Sequence, residues 1–379
     1  MHSILKEITD IQDYIFPFEG EEHLTTIMIL PYREDTWRSK ALPAYEEFLE
    51  VVKAIAQYEM VTIIVNPKLD YSIVKRFQMK NTHILRLEYE DCWARDTLPI
   101  FLKNDKEKLV CGVDFAFNAW GGEFNGLYSP YDNDDALGKF TCLDLMLHRY
   151  PRKHFVLEGG SVHSDGEGTL LTTKECLLSK GRNPSLSLEE IEEELKKDLC
   201  VEKVLFLPYG IVEDETDGHV DNMACFLAPS VILLAWCEEE NDPQYERCLA
   251  NEAYLKGQRD AKGREFSIIH MPLPKVQYST QEECDTLSCD PSLPQKKIHR
   301  LAASYVNFYM GKDFIILPQF HDEKDEVAVK ILKDYYQGTK TIHPIYSREI
   351  LLGGGNIHCI TKNVPFYDHY EIEPKEEVK

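Results

Sequence analysis

The sequence is poor in basic residues relative to acidic ones. It contains 42 lysines and arginines against 65 aspartates and glutamates, which gives a formal net charge of −23. Non-specific binding to nucleic acid requires a basic surface, so this balance argues against nucleic acid as a partner. The acidity is instead compatible with a small cationic substrate, which an acidic cleft would attract.

Long apolar runs are also missing. No stretch of about 18 apolar residues occurs, so we expect no membrane span. The first residues contain no basic segment followed by an apolar one, as a secretory signal would. The eleven cysteines include no C-x-x-C pair. We therefore expect a cytoplasmic protein with reduced thiols.

The common motifs for phosphate and zinc binding are absent as well. There is no G-x-x-x-x-G-K-[ST] segment, no G-x-G-x-x-G that opens a helix and no H-E-x-x-H. We therefore expect no required metal, and no phosphate-binding loop is indicated. A zinc site remains an alternative, with ligands drawn from His163, Asp165, His219, Asp221, His358 and Cys359.

The most informative segment that is present reads Leu351-Leu-Gly-Gly-Gly-Asn-Ile-His-Cys359. Three consecutive glycines let the backbone adopt positive φ and approach a ligand closely. A lone cysteine is more often a small buried apolar residue. The glycines and His358 favour a nucleophile at Cys359, provided that a base or a bound cation converts its thiol, with an ordinary pKa of about 8.5, to the thiolate.

The segment Asp217-Gly-His-Val-Asp-Asn222 supplies a histidine and an acid. On a strand, His219 and Asp221 would point to the same face. Nearby acids such as Asp214 and Glu215 should raise the pKa of His219 and keep it a proton donor near neutral pH. Cysteine, histidine and acid together are the components of a thiol nucleophile with a proton shuttle.

Two more acids lie beside aromatic residues or glycines. Asp96 ends the segment Trp93-Ala-Arg-Asp96, and Glu158 precedes two glycines. Aspartate and glycine are ordinary turn residues, but two carboxylates can also bracket a planar guanidinium with its five N–H donors. Trp120, in Asn118-Ala-Trp-Gly-Gly122, is interpreted either as the wall of a pocket or as a core residue.

The pattern of apolar residues predicts an α/β or α+β protein with many short strands. Ser187 and Glu190 form a predicted capping box, followed by Leu188, Ile191, Leu195 and Leu199 on one helical face. Other predicted helices cover residues 44–57, 244–256 and 326–336. Predicted strands cover residues 25–30, 61–65, 109–115, 169–173, 204–207, 231–236, 314–317 and 341–345.

Internal repetition is faint but present. The segment Leu157-Glu-Gly-Gly-Ser-Val-His163 echoes Leu352-Gly-Gly-Gly-Asn-Ile-His358. Asp96, Glu158 and Asp221 follow one another at intervals of 62 and 63 residues, and Cys359 lies a further 138 residues on, about two such steps. A ring of about five pseudo-symmetric units would bring these positions to a common centre.

Six ordered segments form one set, which comprises Trp93-x-Arg-Asp96, Asn118–Gly122, Glu158-Gly-Gly160, Gly166–Thr173, Asp217–Ala224 and Gly353–Cys359. Together they resemble the motifs of the agmatine deiminase group in the bacterial-type peptidylarginine deiminase family of guanidine-modifying enzymes, from about residue 25 to residue 361. The resemblance implies a five-bladed, pseudo-symmetric α/β propeller and a single catalytic domain that spans residues 1–379. The acidic residues 371–379 predict a flexible tail.

The resemblance also implies a reaction, the hydrolysis of agmatine to N-carbamoylputrescine and ammonia without a cofactor. Cys359 corresponds to the nucleophile and His219 to the general acid and base. Asp96 and Asp221 correspond to the acids that bind the guanidinium, and Glu158 to the acid that supports substrate and histidine.

Trp93, Trp120 and Gly354 are the further expected substrate contacts. The sequence departs from the family pattern at Leu98 and Asn125, both expected near the rim of the pocket.

Other functions stay open at this point. A deiminase of free or peptidyl arginine would need a cation for the substrate carboxylate, and Arg182, Arg300 and Arg348 are the candidates. An amidinotransferase of the same fold and a non-catalytic binder of polyamines are further alternatives. A homo-oligomer is expected, although no residue pattern fixes its size.

Overall fold

The computed structural model of the protein describes residues 5–287, 297–368 and 370. Helices and short strands alternate along these residues, which makes the protein an α/β protein. The segment 371–379, predicted to be a flexible tail, lies outside the described residues. None of the described helices combines the length and the apolar composition that a bilayer crossing requires.

The strands are short, and the longest has nine residues. In chain order they are β1 (Lys6–Glu7), β2 (His23–Ile29), β3 (Val61–Val65), β4 (Thr82–Arg86), β5 (Ile100–Asn104), β6 (Leu109–Ala116), β7 (His148–Val156), β8 (His163–Ser164), β9 (Thr169–Thr173), β10 (Lys203–Leu207), β11 (Ala224–Ala228), β12 (Val231–Trp236), β13 (Ser267–Pro272), β14 (Gln277–Tyr278), β15 (Arg300–Leu301), β16 (Tyr309–Met310), β17 (Phe314–Gln319), β18 (Thr341–Tyr346) and β19 (Thr361–Pro365).

The α-helices lie between strands. In chain order they are α1 (Leu42–Ile55), α2 (Tyr71–Arg76), α3 (Ala94–Thr97), α4 (Gly122–Asn125), α5 (Asp132–Asp144), α6 (Lys174–Leu177), α7 (Leu188–Leu199), α8 (Pro243–Lys256), α9 (Gln281–Asp285), α10 (Asp325–Tyr336) and α11 (Arg348–Leu352). All predicted strands and helices are confirmed, with ends that agree to within two residues.

Helix α7 shows how the sequence sets an element. The Ser187 hydroxyl accepts a hydrogen bond from the Glu190 backbone N–H, and the Glu190 carboxylate accepts one from the Ser187 N–H at 2.7 Å. This capping box satisfies N–H groups that would otherwise lack partners at the helix start. Ile191, Leu195 and Leu199 are buried along one face, as predicted.

One strand order recurs in five sheets within the described part of the chain. In each, an antiparallel pair is followed by a parallel strand: β19-β2-β3, β5-β6-β7, β8-β9-β10, β11-β12-β13 and β16-β17-β18. A parallel pair requires a crossover connection, which a helix usually provides. Here α1 lies between β2 and β3, α5 between β6 and β7, and α6 and α7 between β9 and β10. Likewise α8 lies between β12 and β13, and α10 between β17 and β18.

The recurring sheets explain the periodic polar residues. The loop or turn before the first strand of each sheet carries one of five polar residues, which are Asp96, Glu158, Asp221, Asn307 and Cys359. The predicted repetition is therefore seen in the strand order. Closure of the five units into a propeller stays a prediction.

Candidate active site

A pocket with an empty space of about 360 Å³, counting its open mouth, lies where several of these loops meet. Leu127, Glu215, Thr216 and Asn222 also line it and were not among the predicted site residues. The predicted site residues that line it are Trp93, Asp96, Trp120, His219, Gly354 and Cys359.

The glycine triplet places Cys359 in this pocket. Helix α11 ends where the triplet begins, and Gly354 has a φ of +115°, a conformation that L-residues with a side chain rarely adopt. A Cβ atom at Gly355 would lie 2.5 Å from the Trp93 ring and 3.1 Å from the Cys359 sulfur. The expectation that glycine lets the backbone come close to the site is confirmed at these two positions.

Cys359 is buried among polar groups. Its Sγ accepts a hydrogen bond from Asn307 Nδ2 at 3.3 Å and lies 3.7 Å from Asp221 Oδ2. Burial, followed by the charges of Asp221 and Asp96, raises the pKa of the Cys359 thiol well above its usual range. The thiol is therefore protonated at neutral pH until a positive charge comes close.

His219 stands between two carboxylates without touching either. Its Nδ1 lies 3.8 Å from Asp96 Oδ2, and its Nε2 lies 3.8 Å from Glu158 Oε2. Burial opposes protonation, but Asp96, Cys176 and Glu158 outweigh it, so the pKa of His219 is well above its usual value. The predicted direction of the shift is thus correct, although Asp96 rather than the neighbouring acids is the largest favourable cause.

His219 and Asp221 do not lie on a strand, so the condition under which alternation would place them on one face is not met. Gly218 has a φ of +86°, and residues Val220–Asn222 form a 3₁₀ turn. The positive φ breaks the extended conformation, so the alternation of a strand cannot orient His219 and Asp221. The two side chains converge because the turn folds them around a neighbouring loop.

Gly160 marks the point where the groups converge. A Cβ atom built there would lie 2.6 Å from His219 Nδ1, 2.9 Å from Asp96 Oδ1 and 3.0 Å from Asp221 Oδ2. Real Cβ atoms do not come this close to other atoms, so this position requires glycine. The imidazole and both acids therefore surround one small volume.

Asp96 is held by two donors. Trp120 Nε1 donates to its Oδ2 at 3.0 Å, and the Gly160 backbone N–H donates to its Oδ1 at 2.9 Å. Burial raises the pKa of Asp96, with Asp221 and Glu158 adding to the rise and His219 opposing it. Trp120 is both a buried residue and a wall of the pocket, so the two interpretations of its loop are both correct.

Glu158 lies beneath the pocket and is paired with an arginine. Arg182 Nε is 2.7 Å from Glu158 Oε1, and both side chains are fully buried. The same guanidinium donates to the Thr216 backbone oxygen at 2.8 Å and lies 3.0 Å from Asp217 Oδ2. Burial alone would raise the pKa of Glu158, but the Arg182 charge outweighs burial and the pKa is lowered.

Asp221 is joined to a second histidine behind the pocket. His358 Nδ1 is 2.8 Å from Asp221 Oδ2, and His358 Nε2 is 3.0 Å from Glu19 Oε2. Burial and the Arg95 charge oppose protonation of His358, yet the two carboxylates raise its pKa. Both ring nitrogens contact a carboxylate, which is the geometry of an imidazolium that donates twice.

His163 also contacts Glu19, at 3.3 Å from its Nε2. The sequence echo between His163 and His358 thus corresponds to two rings that share one carboxylate. The ligand atoms of Glu19, His163 and His358 lie within 4.8 Å of one another and could hold a metal ion. The same holds for the ligand atoms of Glu158, Cys176 and His219. Neither group is the zinc set considered from the sequence, which drew its acids from Asp165 and Asp221.

The two departures from the family pattern lie in different places. Leu98 is 3% exposed and packs in the hydrophobic core, so its expected position at the rim is wrong. Asn125 ends helix α4, two residues before Leu127 in the pocket wall, and lies 3.4 Å from the Asp217 carboxylate.

Sequence reasoning missed Asn307, which donates to the Cys359 sulfur. It also accepts a hydrogen bond from the His358 backbone N–H at 3.0 Å through its side-chain oxygen. One signal could have found it. The 138 residues between Asp221 and Cys359 are about twice the interval between the other polar residues, which predicts one further polar residue between them. Glu19 was missed as well, and no spacing pointed to it.

These features define an α/β protein in which a cysteine, a histidine and acids surround one buried point. The sequence matches the Porphyromonas-type peptidyl-arginine deiminase family over residues 15–365. The chain therefore belongs to this family.

Named relatives agree with this membership. The chain is 45% identical to an agmatine deiminase of Pseudomonas aeruginosa over 350 residues, which cover 92% of this chain and 95% of that protein. It is 44% identical to an agmatine deiminase of Ectopseudomonas mendocina, at the same coverage. The solved structure of an agmatine deiminase of Enterococcus faecalis, described as catalysing its reaction, superposes with a TM-score of 0.90 at 37% identity, over 96% of this chain and 99% of that one.

Proposed function

We propose that this protein hydrolyses agmatine to N-carbamoylputrescine and ammonia. The observation that carries the proposal is the convergence of His219, Asp96 and Asp221 around Gly160, with the Cys359 sulfur 3.7 Å from Asp221. A planar cation held by the two acids would present its central carbon to the sulfur. The relatives named agmatine deiminase support the same reaction.

Substrate binding prepares the nucleophile. The pKa of the Cys359 thiol is raised by burial and by the carboxylates of Asp221 and Asp96, so the thiol holds its proton at first. A guanidinium between these acids compensates their charge and favours the thiolate, and the thiol proton is released to solvent as the substrate binds. Positioning by Asp96 and Asp221 also lowers the barrier, because well-oriented reactants avoid much of the entropy cost of meeting.

The reaction then proceeds in two halves. The thiolate forms a bond to the guanidinium carbon, His219 gives its proton to a terminal nitrogen, the C–N bond breaks and ammonia leaves. An S-alkylthiouronium group remains on Cys359. The neutral His219 takes a proton from water, the hydroxide adds to the same carbon, and the C–S bond breaks. Overall, one guanidinium and one water give a urea and an ammonium ion.

His219 suits the first half because its pKa is raised well above the usual value, chiefly by Asp96 against the effect of burial. It therefore carries a proton when the leaving nitrogen needs one. Glu158, fixed by Arg182 at 2.7 Å, faces the other ring nitrogen and stabilises the imidazolium that exists before the first transfer and again after the second. Trp93 and Trp120 flank the cation as apolar walls.

The arginines favour agmatine over arginine as the substrate. Arg182 is engaged by Glu158 and Asp217, Arg300 lies 3.0 Å from Asp242, and Arg348 lies 2.7 Å from Glu283. None of the three lines the pocket, and the described lining residues include no lysine or arginine. A substrate carboxylate would have no cationic partner there.

Glu215 adds a positive reason. This half-buried residue lines the pocket, and its Oε2 lies 2.8 Å from where a Cβ of Gly354 would be. A carboxylate at this wall would attract the ammonium at the far end of agmatine and repel the carboxylate of free arginine.

The recurring sheets support a wider proposal about the fold. We propose that the five units close into a pseudo-symmetric propeller and that residues 25–361 form the core of a single catalytic domain spanning residues 1–379. The expected homo-oligomer and the cytoplasmic location stay predictions.

Ammonia release from a panel of guanidines tests the proposed reaction. Agmatine should react fastest, butylguanidine more slowly because it lacks the ammonium, and arginine least. Cys359→Ala should abolish turnover, while Cys248→Ala, which removes a buried thiol outside the pocket, should retain it. An acid-quenched reaction should show a covalent adduct by mass spectrometry.

Three results would contradict the proposal: faster release from arginine, turnover by Cys359→Ala, or ammonia that forms without any adduct at early times. A new guanidino product on addition of a second amine would indicate an amidinotransferase. Intact agmatine binding without ammonia release would indicate a non-catalytic binder.

A further inference from the structure

A second cavity, with an empty space of about 390 Å³ counting its mouth, lies behind the candidate active site. Arg95 and Lys362 line it, and each stands close in sequence to a residue of the first pocket, Asp96 and Cys359 respectively. The same two segments therefore face the substrate pocket on one side and the second cavity on the other.

Lys362 is the unusual member of this cavity. It is only 4% exposed, and the hydrogen bond described for its ammonium goes to the Arg95 backbone oxygen at 3.3 Å. Lys340 provides a contrast, because its Nζ donates to three backbone oxygens, those of Gly20, Gly311 and Lys312. An ammonium offers three donors, so Lys362 has donors to spare beside an open space.

The neighbouring charged groups have close ionic partners, whereas Lys362 has none. Arg95 Nη2 lies 2.9 Å from Glu19 Oε1, and Glu19 also contacts His358. His163 accepts a hydrogen bond from the Phe226 backbone N–H at its Nδ1, which leaves its Nε2 proton to point at Glu19 and makes the ring neutral. The ion pairs of the described residues include none with Lys362, so Asp96 and Glu19 act on its amino group only from a distance.

We propose that this cavity binds a small monovalent carboxylate, with Lys362 and Arg95 as its cationic contacts. One negative charge would give the Lys362 ammonium the direct ionic partner that it lacks. Ile100, Phe101 and Val162 form an apolar part of the wall, which suits a short hydrocarbon chain better than a phosphate. The ligand class is thus a fatty acid of a few carbons, and the site is independent of the proposed deimination.

Binding at this site should take up a proton. Burial lowers the pKa of Lys362 well below its usual value, and the charge of Arg95 lowers it further, whereas Asp96 and Glu19 act in the opposite direction. The neutral amine is therefore favoured more strongly than in an exposed lysine. A bound carboxylate restores the charged form, because an opposite charge within a few ångströms favours it.

Isothermal titration calorimetry with sodium butyrate at pH 8 tests the proposal. Titrations in two buffers with different ionisation enthalpies should reveal a net uptake of protons on butyrate binding. Lys362→Met keeps the chain length but removes the charge, and it should weaken binding by about 30-fold or more, as expected when one partner of a buried charge pair is lost. Lys330→Met, at an exposed lysine, is the matched control and should bind like the wild type.

Cys359→Ala should also bind butyrate normally, since its change lies in the other pocket. Failure of the deimination assay would leave this result untouched. The proposal is overturned if the wild type shows no saturable heat, if binding takes up no proton, or if Lys362→Met binds as tightly as Lys330→Met. Should Lys362→Met not fold, Lys362→Gln serves in its place.

Discussion

Two buried histidines in this protein each stand between two carboxylates, yet the distances from their ring nitrogens to the carboxylate oxygens differ by almost 1 Å. His219 lies 3.8 Å from both Asp96 and Glu158, whereas His358 lies 2.8 Å from Asp221 and 3.0 Å from Glu19. The shorter distances are hydrogen bonds and the longer ones are not. Burial is opposed by the flanking acids in both cases, and the pKa of each histidine is raised.

The difference separates a group that exchanges protons from one that holds a charge in place. His219 feels the field of its acids without a hydrogen bond to either, and its Nε2 faces Glu158, which leaves Nδ1 for a substrate. His358 spends both N–H groups on its acids, and its backbone N–H is bound to Asn307 as well. We therefore expect His219 to matter for turnover and His358 to matter for stability.

The largest expected effect is the loss of activity in His219→Gln. General acid–base catalysis contributes roughly 10²–10⁴-fold, so kcat for ammonia release from agmatine should fall by about 10³-fold. The stability loss should be smaller than that of His358→Gln, because Asp96 keeps the Trp120 and Gly160 donors and Glu158 keeps Arg182. A variant with more than a tenth of wild-type kcat would place the proton donor elsewhere.

The next effect is on folding. His358→Gln leaves the carboxylates of Asp221 and Glu19 buried without the cation between them, and breaking such a pair costs about 3–5 kcal/mol. Urea denaturation should show this loss in the free energy of unfolding. His154→Gln, at an exposed histidine, is the control and should leave the midpoint unchanged. A loss below about 1 kcal/mol in His358→Gln would end the distinction drawn between the two histidines.

The pH dependence of the same variant sharpens the comparison. The pKa of His358 is raised on folding, so its stabilisation is complete below the unfolded-state value of about 6.5 and is lost as pH rises through the folded-state value. Burial raises the pKa values of Asp221 and Glu19, but nearby cations lower them overall: His358 for Asp221, and Arg95 with His358 for Glu19. The contribution of these two carboxylates to stability is therefore lost as pH falls through their folded-state pKa values.

The stability difference between the wild type and His358→Gln should therefore be largest from about pH 4 to pH 6.5 and should shrink in alkaline solution. Thermal melts of both proteins across this range measure it. A difference that grows with pH would mean that His358 is neutral in the folded protein.

The smallest effect is expected for His163→Gln. Burial lowers the pKa of His163, so the ring is neutral and contributes ordinary hydrogen bonds to Glu19 and to the Phe226 backbone. Removing them should cost about 1–2 kcal/mol, with agmatine turnover close to that of the wild type. A cost equal to that of His358→Gln would show that sequence similarity between the two segments also means equal charge.

Much of the molecule could be read from local patterns, and the exceptions have a common cause. The glycine-rich segments located Cys359 and Trp120 in the pocket wall, because close backbone approach needs glycine wherever it occurs. The strands and helices followed from apolar periodicity. Each of these signals lies within a few residues of the feature that it predicts.

The partners of the site residues could not be found in this way. Glu19 meets His358 across 339 residues, and Asn307 meets Cys359 across 52. Only the packing of different loops brings them together. The strand geometry considered for His219 and Asp221 does not form for a local reason, since Gly218 adopts a positive φ that alternation of polar residues does not reveal.

The raised pKa of the Cys359 thiol bears on how the enzyme ages. Peroxide attacks thiolates much faster than thiols, and it attacks exposed sulfur faster than buried sulfur. A resting molecule is thus shielded from oxidants, and it becomes vulnerable only while a cation occupies the pocket. Damage in a cell under oxidative stress should then accumulate with the number of catalytic cycles completed and not with the time elapsed since synthesis.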